Sequence, residues 1–161
     1  MNDTTYLDFA ENDYKYFMYS YKSGYVANNM AENAQNAAEK YLKYLIDRYD
    51  YDKERSNLKE RVLRTHNLSP LLNYLSNEMN VQIPFDTRQY INALNSYYFN
   101  TGYPGDNSFF VSRDDIEICK EGLETCRNFV LVLDKKWKKE SDDKEIISKD
   151  TPIIEDEEWD I

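Results

Sequence analysis

Val26 to Tyr49 reads VANNMAENAQNAAEKYLKYLIDRY. Ala27, Met30, Ala31, Ala34, Ala38, Tyr41, Leu42 and Leu45 form one continuous apolar stripe along it. That spacing is the pattern of a helix that buries one face. Small side chains line the first half of the stripe, so another helix can approach closely there. The stretch, about 24 residues long, implies a rod of roughly 36 Å.

The helical period continues on both sides. From Thr5 to Lys22, the residues Leu7, Ala10, Tyr14, Phe17 and Tyr21 share a face, and Gly24 supplies a stop. Asp50 to Lys59 is polar and without apolar period, and reads as a loop or frayed helix end. Ser69-Pro70 looks like an N-cap with proline at the first helical position. It precedes a short third helix carrying Leu71, Leu72, Leu75 and Met79. Pro84 interrupts the chain. Asp86-x-x-Gln89 resembles a capping box before a fourth helix whose face is Tyr90, Ile91, Leu94, Tyr97 and Tyr98. Asn100 to Asn107 is the clear turn-rich loop. Ser112-x-x-Asp115 then caps a fifth helix, Arg113 to Lys138, with Ile116, Cys119, Leu123, Cys126, Val130, Leu133 and Trp137 at helical spacing. Lys135, Lys136, Lys138 and Lys139 close it, where cations favour the helix dipole.

Four amphipathic helices and a short one predict an all-α, up-and-down four-helix bundle over residues 1–140. Residues 141–161 turn acidic. Asp150 to Ile161 holds six acids and no base, so this tail is expected to be disordered.

Composition narrows the function classes. The 161 residues suit one domain. Lys and Arg total 20 against 30 Asp and Glu, a formal charge of −10, which argues against broad, sequence-independent binding of duplex DNA. Four Gly and four Pro are too few for an all-β chain with many turns. No stretch approaches the roughly 18 apolar residues of a membrane span. The N-terminus lacks the charged and apolar regions of a secretory signal, and a cytoplasmic protein is expected. Cys119 and Cys126 would lie about 10.5 Å apart along one helix, too far for a disulfide. They read as core thiols in a reducing compartment. A single His, no Cys cluster and no Gly-rich phosphate loop leave no zinc or nucleotide-loop signature, and no metal or cofactor is expected.

Five short motifs occur in order: Leu7-Asp8-Phe9-Ala10-Glu11-Asn12-Asp13; Asn36-Ala37-Ala38-Glu39-Lys40-Tyr41-Leu42-Lys43; Thr65-His66-Asn67-Leu68; Tyr103-Pro104; and Val111-Ser112-Arg113-Asp114-Asp115. Together they resemble the HEPN family (higher eukaryotes and prokaryotes nucleotide-binding) in its small prokaryotic form, over roughly residues 5 to 133. The resemblance implies a helical bundle, usually a homodimer. It also implies one of two roles: a metal-independent ribonuclease using Arg, four to six residues, then His, or a non-catalytic partner of a minimal nucleotidyltransferase in a toxin–antitoxin pair.

Arg61-x4-His66 fits the ribonuclease spacing. A histidine can move the 2′-OH proton or protonate the leaving oxygen, and an arginine can hold the scissile phosphate bidentately. The position does not fit. Family nucleases carry this motif around the start of the last long helix, which here is the Gly102 to Ser112 region, and Gly102 stands where such proteins often have the Arg of Arg-Tyr-Pro. The sequence therefore favours a non-catalytic interaction module, with the ribonuclease as the alternative. Lys40, Lys43, Arg64, Tyr97 and Tyr103 are candidate contacts to a nucleotide, a phosphate or a partner, and Tyr98 joins the tyrosines that could stack a base. The plainer reading makes the lysines a solvated, ion-paired face and the tyrosines core or dimer interface. Lys53, Arg55, Lys59, Arg61 and Arg64 against Glu54 and Glu60 form a local basic stretch. The alanine stripe, with the resemblance, motivates a homodimer; a nucleotidyltransferase, a nucleotide and RNA are the other expected partners.

Overall fold

A computed structural model describes residues 3–105 and 107–150 of the chain, which divides into two units, Met1–Val130 and Leu131–Ile161. The described residues contain helices and no strand, so the all-α expectation holds. The elements are α1 (Tyr6–Lys22), α2 (Asn28–Tyr49), α3 (Ser56–Val62), α4 (Leu68–Asn77), α5 (Phe85–Asn92), α6 (Asn95–Asn100) and α7 (Arg113–Asp150), with a 3-10 turn at Lys53–Arg55 before α3.

The start of α1 is closed by Asp8, whose carboxylate accepts the Thr5 amide at 2.8 Å. Its end is a full Schellman turn. The Gly24 amide reaches Tyr21 O at 3.0 Å and the Tyr25 amide reaches Ser20 O at 3.1 Å. Gly24 has φ +77°, a conformation open to a residue without Cβ. The chain then returns as α2. Glu11 pairs with Tyr41 and Asp13 with Lys40, a crossing order that makes α1 and α2 antiparallel.

α2 is the core of the first unit. Met30, Ala31, Ala34, Ala37, Ala38, Tyr41, Leu42, Leu45 and Ile46 are all fully buried. Burial extends beyond the apolar stripe to Gln35, Glu39 and Lys43, because α1, α4 and α6 all pack on this helix and Cys126 of α7 lies against Ala38 O at 3.6 Å. Of the alanine stripe, Ala31, Ala34 and Ala38 are fully buried within one chain, while Ala27 at its start stays half-exposed.

Three expectations need correction. The polar stretch after Tyr49 is not a loose loop. Asp50 is buried and accepts from Arg55 (Nη2 at 2.7 Å) and from the Tyr74 hydroxyl, while Lys59 Nζ donates to the carbonyls of Asp47 and Asp50. Ionic bonding folds α3 where no apolar period announced it. The third helix begins at Leu68, one residue ahead of the expected cap at Ser69. Asn67 accepts the Ser69 amide at 3.0 Å, Asn95 accepts the Leu68 amide at 2.8 Å, and Pro70 falls within the first turn, where its missing N–H costs nothing. The fourth helix is broken into α5 and α6. It starts at Phe85, so Asp86 lies inside the first turn and does not form the expected box with Gln89; its carboxylate takes the Thr87 amide. The break at Ala93–Leu94 falls between Asn92 and Asn95, both drawn to Ser69 of α4 at 3.0 and 3.1 Å.

Ser112 and Asp115 do form a capping box at the start of α7, with bonds of 2.7 and 3.2 Å. Ile116, Cys119, Leu123, Cys126 and Val130 are buried along it. In the second unit the helix runs on past the expected end at Lys138, through residue 150. Lys138 pairs there with Asp134, one turn back, at 3.2 Å, an arrangement that supports helix continuation. The remainder of the acidic tail, 151–161, lies outside the described residues.

Candidate functional site

His66 sits in the short link between α3 and α4. The link is fixed from beneath by Gln35 of α2, whose amide nitrogen donates to His66 O at 2.6 Å. The imidazole is 62% exposed, yet one side of it is held. Its Nδ1 lies 3.0 Å from Glu39 Oε1, and its ring stacks on Tyr98 of α6 at 5.6 Å between centroids and 23° between planes. Glu39 itself is buried, and the same oxygen accepts from Lys43 Nζ at 2.6 Å, one turn along α2. Three elements therefore meet at one imidazole.

A carboxylate opposite Nδ1 favours the tautomer that donates there, which leaves Nε2 as the nitrogen open to an incoming group. Such a ring can accept or deliver a proton or bond a phosphate oxygen, and the Tyr98 face beside it suits a planar base. Lys43 neutralises Glu39, so the buried carboxylate is paired as burial demands.

Of the remaining candidates, Lys43 belongs to this cluster through Glu39. Arg61, near the end of α3, lines a cavity of about 470 Å³ with Leu58, Val62, Thr65, Pro70 and Tyr74. No hydrogen bond or ion pair among the described residues joins it to His66. Lys40 pairs with Asp13 of α1 at 2.5 Å, whereas Lys43 is buried on Glu39, so the two lysines serve different neighbours despite their spacing. Arg64 pairs with Glu60 in solvent at 2.7 Å. Tyr97 is buried, donates to Asp115 at 2.9 Å and meets Phe109 edge-on. Burial, then the Asp115 bond, pushes its phenol above the ordinary range. Tyr103 is 87% exposed and borders a cavity of about 300 Å³ on the Asn100–Phe110 loop.

The sequence did not mark Glu39 or Gln35 as site residues. The available signal was their neighbourhood. Both lie among Ala34, Ala37 and Ala38 on a helix with little room for solvent, and Glu39 precedes Lys43 by four residues, the spacing of a helix ion pair.

Neither cysteine offers chemistry here. Both are buried and free, and burial, aided by Asp115, pushes the Cys119 thiol up to about 12. Among the described residues no group of three His, Cys, Asp or Glu side chains could hold a metal ion. None of the helices there is long and apolar enough to cross a membrane.

The family model described as HEPN domain matches residues 5–137. No curated protein and no solved structure matches the chain.

Proposed function

The chain belongs to the HEPN domain family, and from that premise we infer that this nucleotide- or RNA-related module works by binding rather than by cleaving. Its setting is a cytoplasmic two-gene pair of the toxin–antitoxin or defence type, beside a minimal nucleotidyltransferase. The observation that carries this reading is the way the His66 ring is already held, by Glu39 and Tyr98, with no bond to Arg61 among the described residues. Arg61 lines a cavity between α3 and α4. Cleavage without a metal needs both on the same phosphate. The negative chain adds to it, since RNA must be collected against a formal charge of −10.

A homodimer belongs to the proposal, formed through a face other than the alanine stripe. Sedimentation at micromolar concentration tests it, and a single 19 kDa species counts against it.

The alternative, a metal-independent endoribonuclease, draws support from the exposed, carboxylate-held ring of His66. One experiment separates the two readings. Mixed RNA is incubated in EDTA with wild type, His66→Ala and Arg61→Ala. Intact RNA in all three is the expected result. Cleavage by wild type that both folded variants lose replaces the binding reading with the nuclease one.

A further inference from the structure

Asn28, at the start of α2, holds the Thr101–Val111 loop with three bonds. Its amide nitrogen donates to Thr101 O at 3.1 Å and Phe109 O at 3.0 Å, and its oxygen accepts the Val111 amide at 2.8 Å. One helical turn later on the same face comes Glu32. The clamp draws Gly102 directly under it: a Cβ at residue 102 would lie 2.4 Å from Glu32 Oε1. The carboxylate is half-buried there and makes no hydrogen bond or ion pair among the described residues. Beside it opens the cavity of about 300 Å³ lined by Asn28, Thr101, Gly102, Tyr103 and Phe110. Tyr103 and Phe110, on its rim, are 87% and 93% exposed.

We propose that this notch is a docking site for an arginine side chain presented by a protein partner. A carboxylate with no counter-ion of its own is open to a charge-assisted pair with an incoming cation. A guanidinium is the cation that fits both features at once, because it bonds a carboxylate through two N–H groups and stacks flat on an aromatic ring. An ammonium group offers only a point charge. Anions are disfavoured, since Asp114 and Asp115 occupy the first turn of α7 immediately after this loop. Large exposed aromatics such as Tyr103 and Phe110, on a cavity that shares Gly102 with the Glu32 carboxylate, are what a protein interface uses as anchors. The charge of −10 favours approach of a basic surface. The inference stands apart from the RNA reading, since RNA carries the opposite charge.

The test uses the full chain and two probes, N-acetyl-arginine amide and N-acetyl-lysine amide, followed through the backbone amide signals of Gly102 and Tyr103. The arginine probe is expected to shift both signals saturably and to bind more tightly than the lysine probe. Glu32→Gln should weaken it about tenfold, the scale of one lost charge-assisted pair. Gly102→Arg supplies the guanidinium from the chain itself. Within 4 Å of a Cβ at this position there is only the flexible end of Glu32. This variant should abolish probe binding and melt at a higher temperature than wild type, a gain that Glu32→Gln removes. Absence of a saturable shift, or equal binding by Glu32→Gln, overturns the proposal. So does self-association of wild type that Glu32→Gln loses, which would make the occupant a second copy.

Discussion

The Tyr41 hydroxyl donates to Glu11 Oε1 at 2.7 Å, joining the middle of α2 to α1 where Arg127 of α7 grips the same carboxylate. Arg127 makes two bonds to it, at 2.8 and 3.1 Å, and its guanidinium also lies 4.4 Å from the centre of the Tyr14 ring. Three helices are pinned by one acid. Tyr41→Phe keeps the buried ring and removes only the hydroxyl. It should destabilise the protein by about 1.5–3 kcal/mol, the scale of a hydrogen bond to a charged group. The expected readout is a lower urea midpoint at unchanged slope.

Acid should unfold the protein through three carboxylates. Burial alone would raise Asp50, but Arg55, Tyr74 and the Asp52 amide outweigh it and hold the group below its ordinary 3.8. Glu11 is likewise held below 4.5 by Arg127 and Tyr41 against burial, and Asp115 below 3.8 by Ser112 and Tyr97. A depressed folded-state pKa adds stability that is complete above the ordinary value. That stability is lost as pH falls through the lowered one. Urea midpoints should therefore drop steeply below about pH 4, and Asp50→Asn should flatten that slope while lowering stability at neutral pH.

Lys43→Met strands Glu39 in the interior with His66 as its remaining partner among the described residues. Breaking a buried pair from one side costs about 3–5 kcal/mol, whereas replacing both partners by neutral groups is often close to neutral. Lys43→Met should accordingly be far less stable than the double variant Glu39→Gln, Lys43→Met. Equal stability of the two in urea would show that Lys43 does not pair with Glu39 in solution.

Gly122 lets α7 pack tightly against Tyr90 of α5 and the adjoining Leu94. A Cβ there would lie 2.6 Å from Tyr90 O and 3.0 Å from the Leu94 side chain. Alanine gains about 1 kcal/mol in helix propensity over glycine, but a clash with backbone forces packing shifts worth about 1–3 kcal/mol. Gly122→Ala should be destabilised on balance, seen as a lower thermal midpoint. Glycine in the middle of this long helix has no other evident reason.

The long helices were legible because apolar residues at three- and four-residue steps have one physical use. Gly24 and the Ser112–Asp115 box were legible because turns and caps need particular side chains. α3 was not, since it is assembled by Arg55 and Lys59 reaching Asp50 and the α2 carbonyls, contacts that exist only after α2 has ended in place. The α5–α6 break depends in the same way on Ser69, more than twenty residues upstream. For the site, counting found His66, but its partner Glu39 lies 27 residues earlier. Spacing along the chain could not show that α2 runs beneath that link. Arg61, five residues before His66, lines a cavity with Thr65 and Tyr74, a neighbourhood that spacing alone could not show.

The enclosure of α2 also sets a hierarchy of opening. A helix walled in by four others cannot expose its amides by fraying sideways, so deuterium enters its centre only when the first unit unfolds globally. α3 is seven residues long with Val62 as its buried side chain, so it can open as a smaller unit than α2. Exchange rates around Ala34 to Leu42 would then report the stability of the whole unit. Those of residues 53–62 would report a local equilibrium next to His66, and a ligand that orders this link should slow them first.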